Sequence, residues 1–306
     1  MDLILDADFD IDNPPADKTP PSFLDVRGDY YAKVTKFVSG AREIVMKVVR
    51  PMSMEKHAEQ FGNCYPVSNL PPREKSESEI EADKAQNHRR AVRKAKQTAR
   101  FLCHEIEADR ILTLTYRENM EDREKCKADF KRFIRLVRTG YDGIPGLKDF
   151  RYVAVLERQE RGAYHVHIAV RGFQPIKFIR ACWYKVLGCA PDVSKENTPG
   201  QVDITSPRNH KGSSRKRQWA TDRLSHYIVK YMAKTFDDTT SEKNRYWRSK
   251  DINKPPSELH WLVATNLFDA LNELYRYLGV NEGTRLKKHW LSDDECCYWC
   301  AVSPDV

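Results

Sequence analysis

Residues 163–170 read AYHVHIAV and put His165 and His167 one residue apart in an apolar run. In a strand, alternate side chains leave the same face, so both imidazoles share one side of a sheet. With a carboxylate beside them they form a mixed nitrogen–oxygen donor set, which suits a catalytic divalent ion that holds a phosphate oxygen. Glu157 is the candidate third donor. Mg²⁺ or Mn²⁺ is the expected ion, and the imidazoles tilt binding towards Mn²⁺. A second set lies in HYIVKYMAK, residues 226–234. There Tyr227, Lys230, Tyr231 and Lys234 follow the i, i+3, i+4, i+7 spacing of one helix stripe, while Ile228, Val229, Met232 and Ala233 cover the opposite part. A phenol with a pKa near 10 is a poor nucleophile at neutral pH. Lysine charge favours the phenolate, and a metal on the target phosphate offsets charge in the transition state. Together these parts make a DNA-cleaving transesterase. Each has a blander reading: a packing histidine, a strand-end Glu157 paired to arginine, or core tyrosines flanked by snorkelling lysines.

The elements that must position these residues follow from periodicity. RILTLTY (110–116), YVAVLE (152–157), YHVHIAV (164–170) and QVDIT (201–205) read as strands. Cys126, Phe130, Phe133 and Val137 mark a helix ending near Gly140. A second helix runs from about Ile176 to Leu187, opened by Pro175. A third runs from about Asp222 to Phe236, after a basic loop at 207–218. The order β-α-β-β-α-β predicts an α+β fold of split βαβ type, an antiparallel sheet with flanking helices. The decisive register is the hairpin between the second and third strands. Centred on Arg161, it sets Glu157 opposite His165; centred on Gly162, it sets Glu157 opposite His167. A two-residue turn at Arg161-Gly162 would point Glu157 away.

The 306 residues carry a net charge of +8, which favours an acidic partner, with nucleic acid first. Val92, Ala95, Ala99, Leu102 and Ile106 outline an amphipathic helix whose other positions include Arg89, Arg90, Arg93 and Lys94. These four, with Arg215, Lys216 and Arg217, are the candidate DNA contacts, and a solvated basic surface is the competing reading. Three regions are expected: a partly disordered acidic extension over 1–84, a catalytic domain over 85–240, and a helical extension over 241–306. Residues 66–80 read as a linker or exposed loop. There is no secretory signal pattern and no apolar run of membrane length, and eight cysteines without an export signal suit a reducing cytosol. The Cys-x-x-Cys of CCYWC (296–300) is half of a zinc site at most and reads as free thiols at a flexible end.

LTLTY (112–116), ERQERGAYHVHIAV (157–170) and YIVKYMAK (227–234) resemble, in order and spacing, the three motifs of HUH endonucleases. Within that superfamily they look most like rolling-circle replication initiators of single-stranded DNA phages with two tyrosines, and of related plasmids. The resemblance spans roughly residues 85–250. It implies that His165 and His167 bind the metal, with Glu157 in the place of the variable third ligand. It implies that Tyr227 and Tyr231 are nucleophiles, with Lys230 and Lys234 orienting or neutralising the phosphate, and that Leu112 to Thr115 are largely structural. The implied product is a 5′-phosphotyrosine link and a free 3′-OH primer on origin DNA that is single-stranded or melted. No GxxxxGK[ST] phosphate loop is present, so unwinding would need a host helicase, and extension a host polymerase, in the cytoplasm of a bacterial cell. A single-strand transposase or relaxase of the same chemistry, or a non-catalytic DNA-binding protein, are the alternatives.

Overall fold

The computed structural model describes residues 30–48, 75–189, 198–205, 216–236, 246–292 and 296–304; within 216–236 it describes the side chains of 221–232. The described residues group into two compact units, one drawn from Phe37–Ser39 and Ala91–Pro255, the other from the remainder.

In chain order the strands are β1 (Tyr30–Lys36), β2 (Arg42–Val48), β3 (Arg110–Tyr116), β4 (Gly140–Tyr141), β5 (Ile144–Pro145), β6 (Val153–Arg158), β7 (Tyr164–Val170), β8 (Gly200–Thr205), β9 (Trp247–Arg248), β10 (Ser257–Leu262), β11 (Thr284–Leu291) and β12 (Cys297–Pro304). The helices are α1 (Glu77–Glu105), α2 (Arg123–Thr139), α3 (Ile176–Val186), α4 (Lys216–Phe236) and α5 (Leu267–Leu278).

The first unit is built on an antiparallel sheet of order β8-β3-β7-β6-β9. With α2 and α3 as crossovers, β3-α2-β6-β7-α3-β8 is the expected β-α-β-β-α-β unit, and its four strands lie in spatial order 4-1-3-2. Strand periodicity divides the sheet. Leu112, Leu114, Leu156, Val166, Ile168 and Val202 point to one face and pack with Phe130, Phe133, Ile179 and Trp183 from α2 and α3. Fully burying a side chain of this size contributes roughly 1.5–3 kcal/mol. Trp183 also donates its indole N–H to the Thr115 carbonyl at 3.0 Å, which ties α3 to β3. α2 starts where Asp122 accepts the Lys125 N–H at 3.0 Å, as an N-cap does. On the opposite face, Ile111, Val153, Val155 and Ala169 carry Leu224, Ile228 and Met232 of α4 with Leu102, Cys103 and Ile106 of α1.

The second unit holds the sheet β10-β1-β2-β12-β11, with α5 packing Ala270, Leu274 and Leu278 onto Ala32, Ile44 and Met46. The stretch after residue 256 thus contributes three strands besides one helix, where the sequence suggested a helical extension. Cys297 and Cys300 lie three apart on β12, on opposite faces of the strand. Both are buried in regular structure and not at a flexible end, and they cannot share one metal.

Two helix starts also differ from expectation. α1 begins at Glu77, inside the stretch read as a linker. The Ser76 hydroxyl accepts from the Glu79 N–H at 3.3 Å and the Glu79 carboxylate accepts from the Ser76 N–H at 2.8 Å, a reciprocal capping box. α4 begins at Lys216, so Lys216 and Arg217 belong to a helix and not to the basic loop.

Candidate active site

The hairpin fixes the register. Gln159 donates to the Ala163 carbonyl and Gly162 to the Gln159 carbonyl, both at 2.8 Å. This closes a three-residue loop with Gly162 at φ 88°, a backbone region that costs glycine little. Of the three registers open to the sequence, the structure selects the one centred on Arg161: Glu157 pairs with His165 and Val155 with His167. Across the other edge of β7, Thr113 pairs with His167. Glu157, His165, His167 and Thr113 therefore share one face, the face that α4 covers.

Both histidines are held by hydrogen bonds. His167 Nε2 lies 2.7 Å from Glu157 Oε2, and both residues are buried. His167 Nδ1 lies 3.1 Å from the Thr113 hydroxyl, and His165 Nδ1 lies 3.0 Å from the Gln159 amide. Burial first, then the neighbouring His167 and Arg161, hold the His165 pKa below its ordinary value against the pull of Glu157. A neutral imidazole keeps a lone pair for a metal.

α4 brings the tyrosines to this face. Ile228 and Met232 anchor it in the core. The Tyr231 ring stacks on His167, with centroids 3.9 Å apart and planes at 14°. The Tyr231 hydroxyl donates to the Tyr227 hydroxyl, and the two rings meet edge to face at 4.6 Å. Tyr227 is 42% exposed, so its oxygen is open to an incoming strand. The sequence reading expected lysine charge to favour the phenolates. At Tyr231 the balance runs the other way: burial, the Tyr227 hydroxyl and the Glu157 carboxylate raise its pKa. Lys230 is exposed on the same helix.

As donor types, His165, His167 and Glu157 fit a hard or borderline divalent ion. As they stand they are not a cage. Among the described residues no group of three or more His, Cys, Asp or Glu is arranged to hold a metal ion. Binding one would exchange the His167–Glu157 hydrogen bond for two metal bonds.

Arg89, Arg93 and Lys94 are exposed and Arg90 half-buried along α1, N-terminal to the part that packs on the sheet. They are not among the residues gathered around the histidines. Arg215 lies outside the described residues, as do the side chains of Lys216, Arg217 and Lys234. Sequence reasoning missed Thr113 and Gln159, which hold the two imidazoles. Thr113 was legible: within LTLTY the leucines face the core, so the threonines must face the histidines.

Residues 109–236 match a family of replication-associated proteins, the one described by its ORF2 and gene-2-protein members. The matched stretch contains β3, the histidine hairpin and all of α4. Neither the curated proteins nor the solved structures gave a match. Among the described residues no helix is long and apolar enough to cross a membrane.

Proposed function

We propose that this chain is a rolling-circle replication initiator that nicks and rejoins single-stranded DNA through tyrosine. One observation carries the reading: the Tyr231 ring lies on the His167 ring while its hydroxyl bonds to Tyr227. Two phenols and two imidazoles thus meet at one end of a sheet, within the stretch that matches a replication-associated family. Packing alone does not require two tyrosine hydroxyls at the end of a buried His–Glu pair.

A divalent ion, Mg²⁺ or Mn²⁺, held by His165, His167 and Glu157 would polarise the scissile phosphate. The protein's residues supply the rest. Thr113 and Gln159 fix the ring orientations, and Lys230 and Lys234 steer phosphate to α4. The oxygen of one tyrosine attacks phosphorus after its proton is lost to solvent. The new bond is phosphorus to phenolic oxygen; the bond from phosphorus to the 3′ oxygen breaks, and that oxygen takes up a proton. The 3′-OH then primes synthesis by a host polymerase behind a host helicase. The second tyrosine repeats the attack at the regenerated junction, and the earlier 3′-OH displaces the first tyrosine to close a circle.

The test is incubation with a mixed pool of circular single-stranded DNA and Mn²⁺, followed by denaturing gels. A covalent adduct is expected that disappears with chelator, with His165→Ala plus His167→Ala, and with Tyr227→Phe plus Tyr231→Phe. An adduct that survives the double tyrosine change would refute the assignment.

A further inference from the structure

Beside His165 the sheet opens into a cleft of about 530 Å³, lined among others by Thr115, Arg117, Arg161, Gln201 and Asp203. Clefts of roughly 300–1,000 Å³ hold ligands of small-molecule size, which includes one nucleotide. We propose that this cleft takes a single unpaired guanine of the DNA strand that crosses the active site. The proposal rests on the nicking reading and adds the base that the site reads.

Register places the cleft's polar groups. Asp203 pairs with Thr113, which pairs on its other side with His167. Gln201 pairs with Thr115 in the same way. Directly opposite residues share a face, so Asp203, Gln201 and the two histidines project from the same side of the sheet. Asp203 stands two strands from His167, roughly 10 Å at 4.8 Å per strand, about the reach of a neighbouring nucleotide. The cleft wall is rigid: the Gln201 N–H bonds to the Thr115 hydroxyl at 3.2 Å, and Arg161 donates to Gln159, which holds His165.

Charge selects the base. An ionised carboxylate only accepts hydrogen bonds, and Asp203 is exposed with no protein partner among the described residues. An unstacked base is read on its Watson–Crick edge. On that edge guanine offers two adjacent donors, N1–H and the N2 amino group, which match the two oxygens of one carboxylate. Adenine and cytosine each set a single amino group beside an acceptor nitrogen, which repels the second oxygen. Thymine offers one N–H between two carbonyls. Arg117 and Arg161 on the cleft wall supply cations for the phosphates on either side.

Binding separates this from the chemistry. The full chain carrying Tyr227→Phe and Tyr231→Phe is titrated with short labelled oligo-dT strands, each with one central dG, dA, dC or no replacement. The dG strand should bind about tenfold more tightly than the others, the worth of a good bidentate base contact. Asp203→Asn should level the four affinities, with its unfolding midpoint recorded as the control for folding. Arg161→Ala should weaken all four alike. Equal affinities in the Asp203 protein, or a dG preference that survives Asp203→Asn, would overturn the proposal. The adduct assay is independent of these readings, so either idea can fail without the other.

Discussion

The two faces of the β8-β3-β7-β6-β9 sheet have the same strands and opposite compositions. One face carries Leu112, Leu114, Val166 and Ile168, sealed by α2 and α3. The other carries Thr113, His165, His167 and Glu157, and only its apolar end lies under α4 and α1. Residues one apart in sequence thus do unrelated work. Val166 is fully buried in the core between two candidate ligands. Parity along the strand separates what holds the fold from what does chemistry, and substitutions on the two faces should therefore fail in different ways.

The largest effect is expected where chemistry ends and packing barely changes. Tyr227→Phe with Tyr231→Phe should abolish covalent adducts on denaturing gels. The unfolding free energy should fall by about 1 kcal/mol, the worth of one hydroxyl–hydroxyl hydrogen bond. The converse comes from the sealed face. Trp183→Ala should cost about 3–5 kcal/mol in urea unfolding, while adduct formation per folded molecule stays near that of the parent. If Trp183→Ala removed activity from the folded fraction, the two faces would not be separable.

Smaller effects sharpen the line between them. Glu157→Gln keeps size but removes the charge beside His167. The Mn²⁺ concentration for half-maximal adduct should rise at least about tenfold, what loss of a supporting group at a metal site costs. The smallest effect lies in the layer over the site face. His104 of α1 stacks on Phe37 at 4.6 Å, and burial, with Arg100 and His226 nearby, lowers its pKa from 6.5 to about 3. The half-exposed Asp222 carboxylate, 3.4 Å away, does not offset this. Between those two values the unfolded chain holds a proton that the folded chain refuses. Stability should therefore be level above about pH 7 and fall as pH drops below about 6.5. His104→Gln should flatten that part of the slope, measured by urea unfolding near pH 7.5 and near pH 5.

Local pattern made the catalytic half of the molecule legible. β7 announced itself because its even residues are apolar and its histidines odd. The four-strand order followed from short connections and the rules for crossovers. The hairpin register stayed open because it depends on whether Gly162 closes a three-residue or a two-residue loop, and the sequence permits both. The second unit was illegible for another reason. β1 pairs with β10, Tyr30 against Leu262, and no local window holds both partners. The cap at Ser76 was missed although Ser-x-x-Glu was in plain view, because a Pro- and Ser-containing neighbourhood argued for a loop. Gln159 was hidden as a turn residue, and its role appears only once the turn is closed.

β8 crosses β3 so closely that a Cβ on Gly200 would fall 2.1 Å from the Thr115 carbonyl oxygen and 3.1 Å from the Trp183 indole nitrogen. Neither the backbone oxygen nor the indole that binds it can move aside. A saturation library of this strand, selected for folded protein, should therefore be nearly empty of alternatives at position 200. Position 201, one step along and exposed, should accept most residues. An insertion or deletion between the two would move the cleft's polar row to the opposite side of the sheet, a change that no single substitution could reverse.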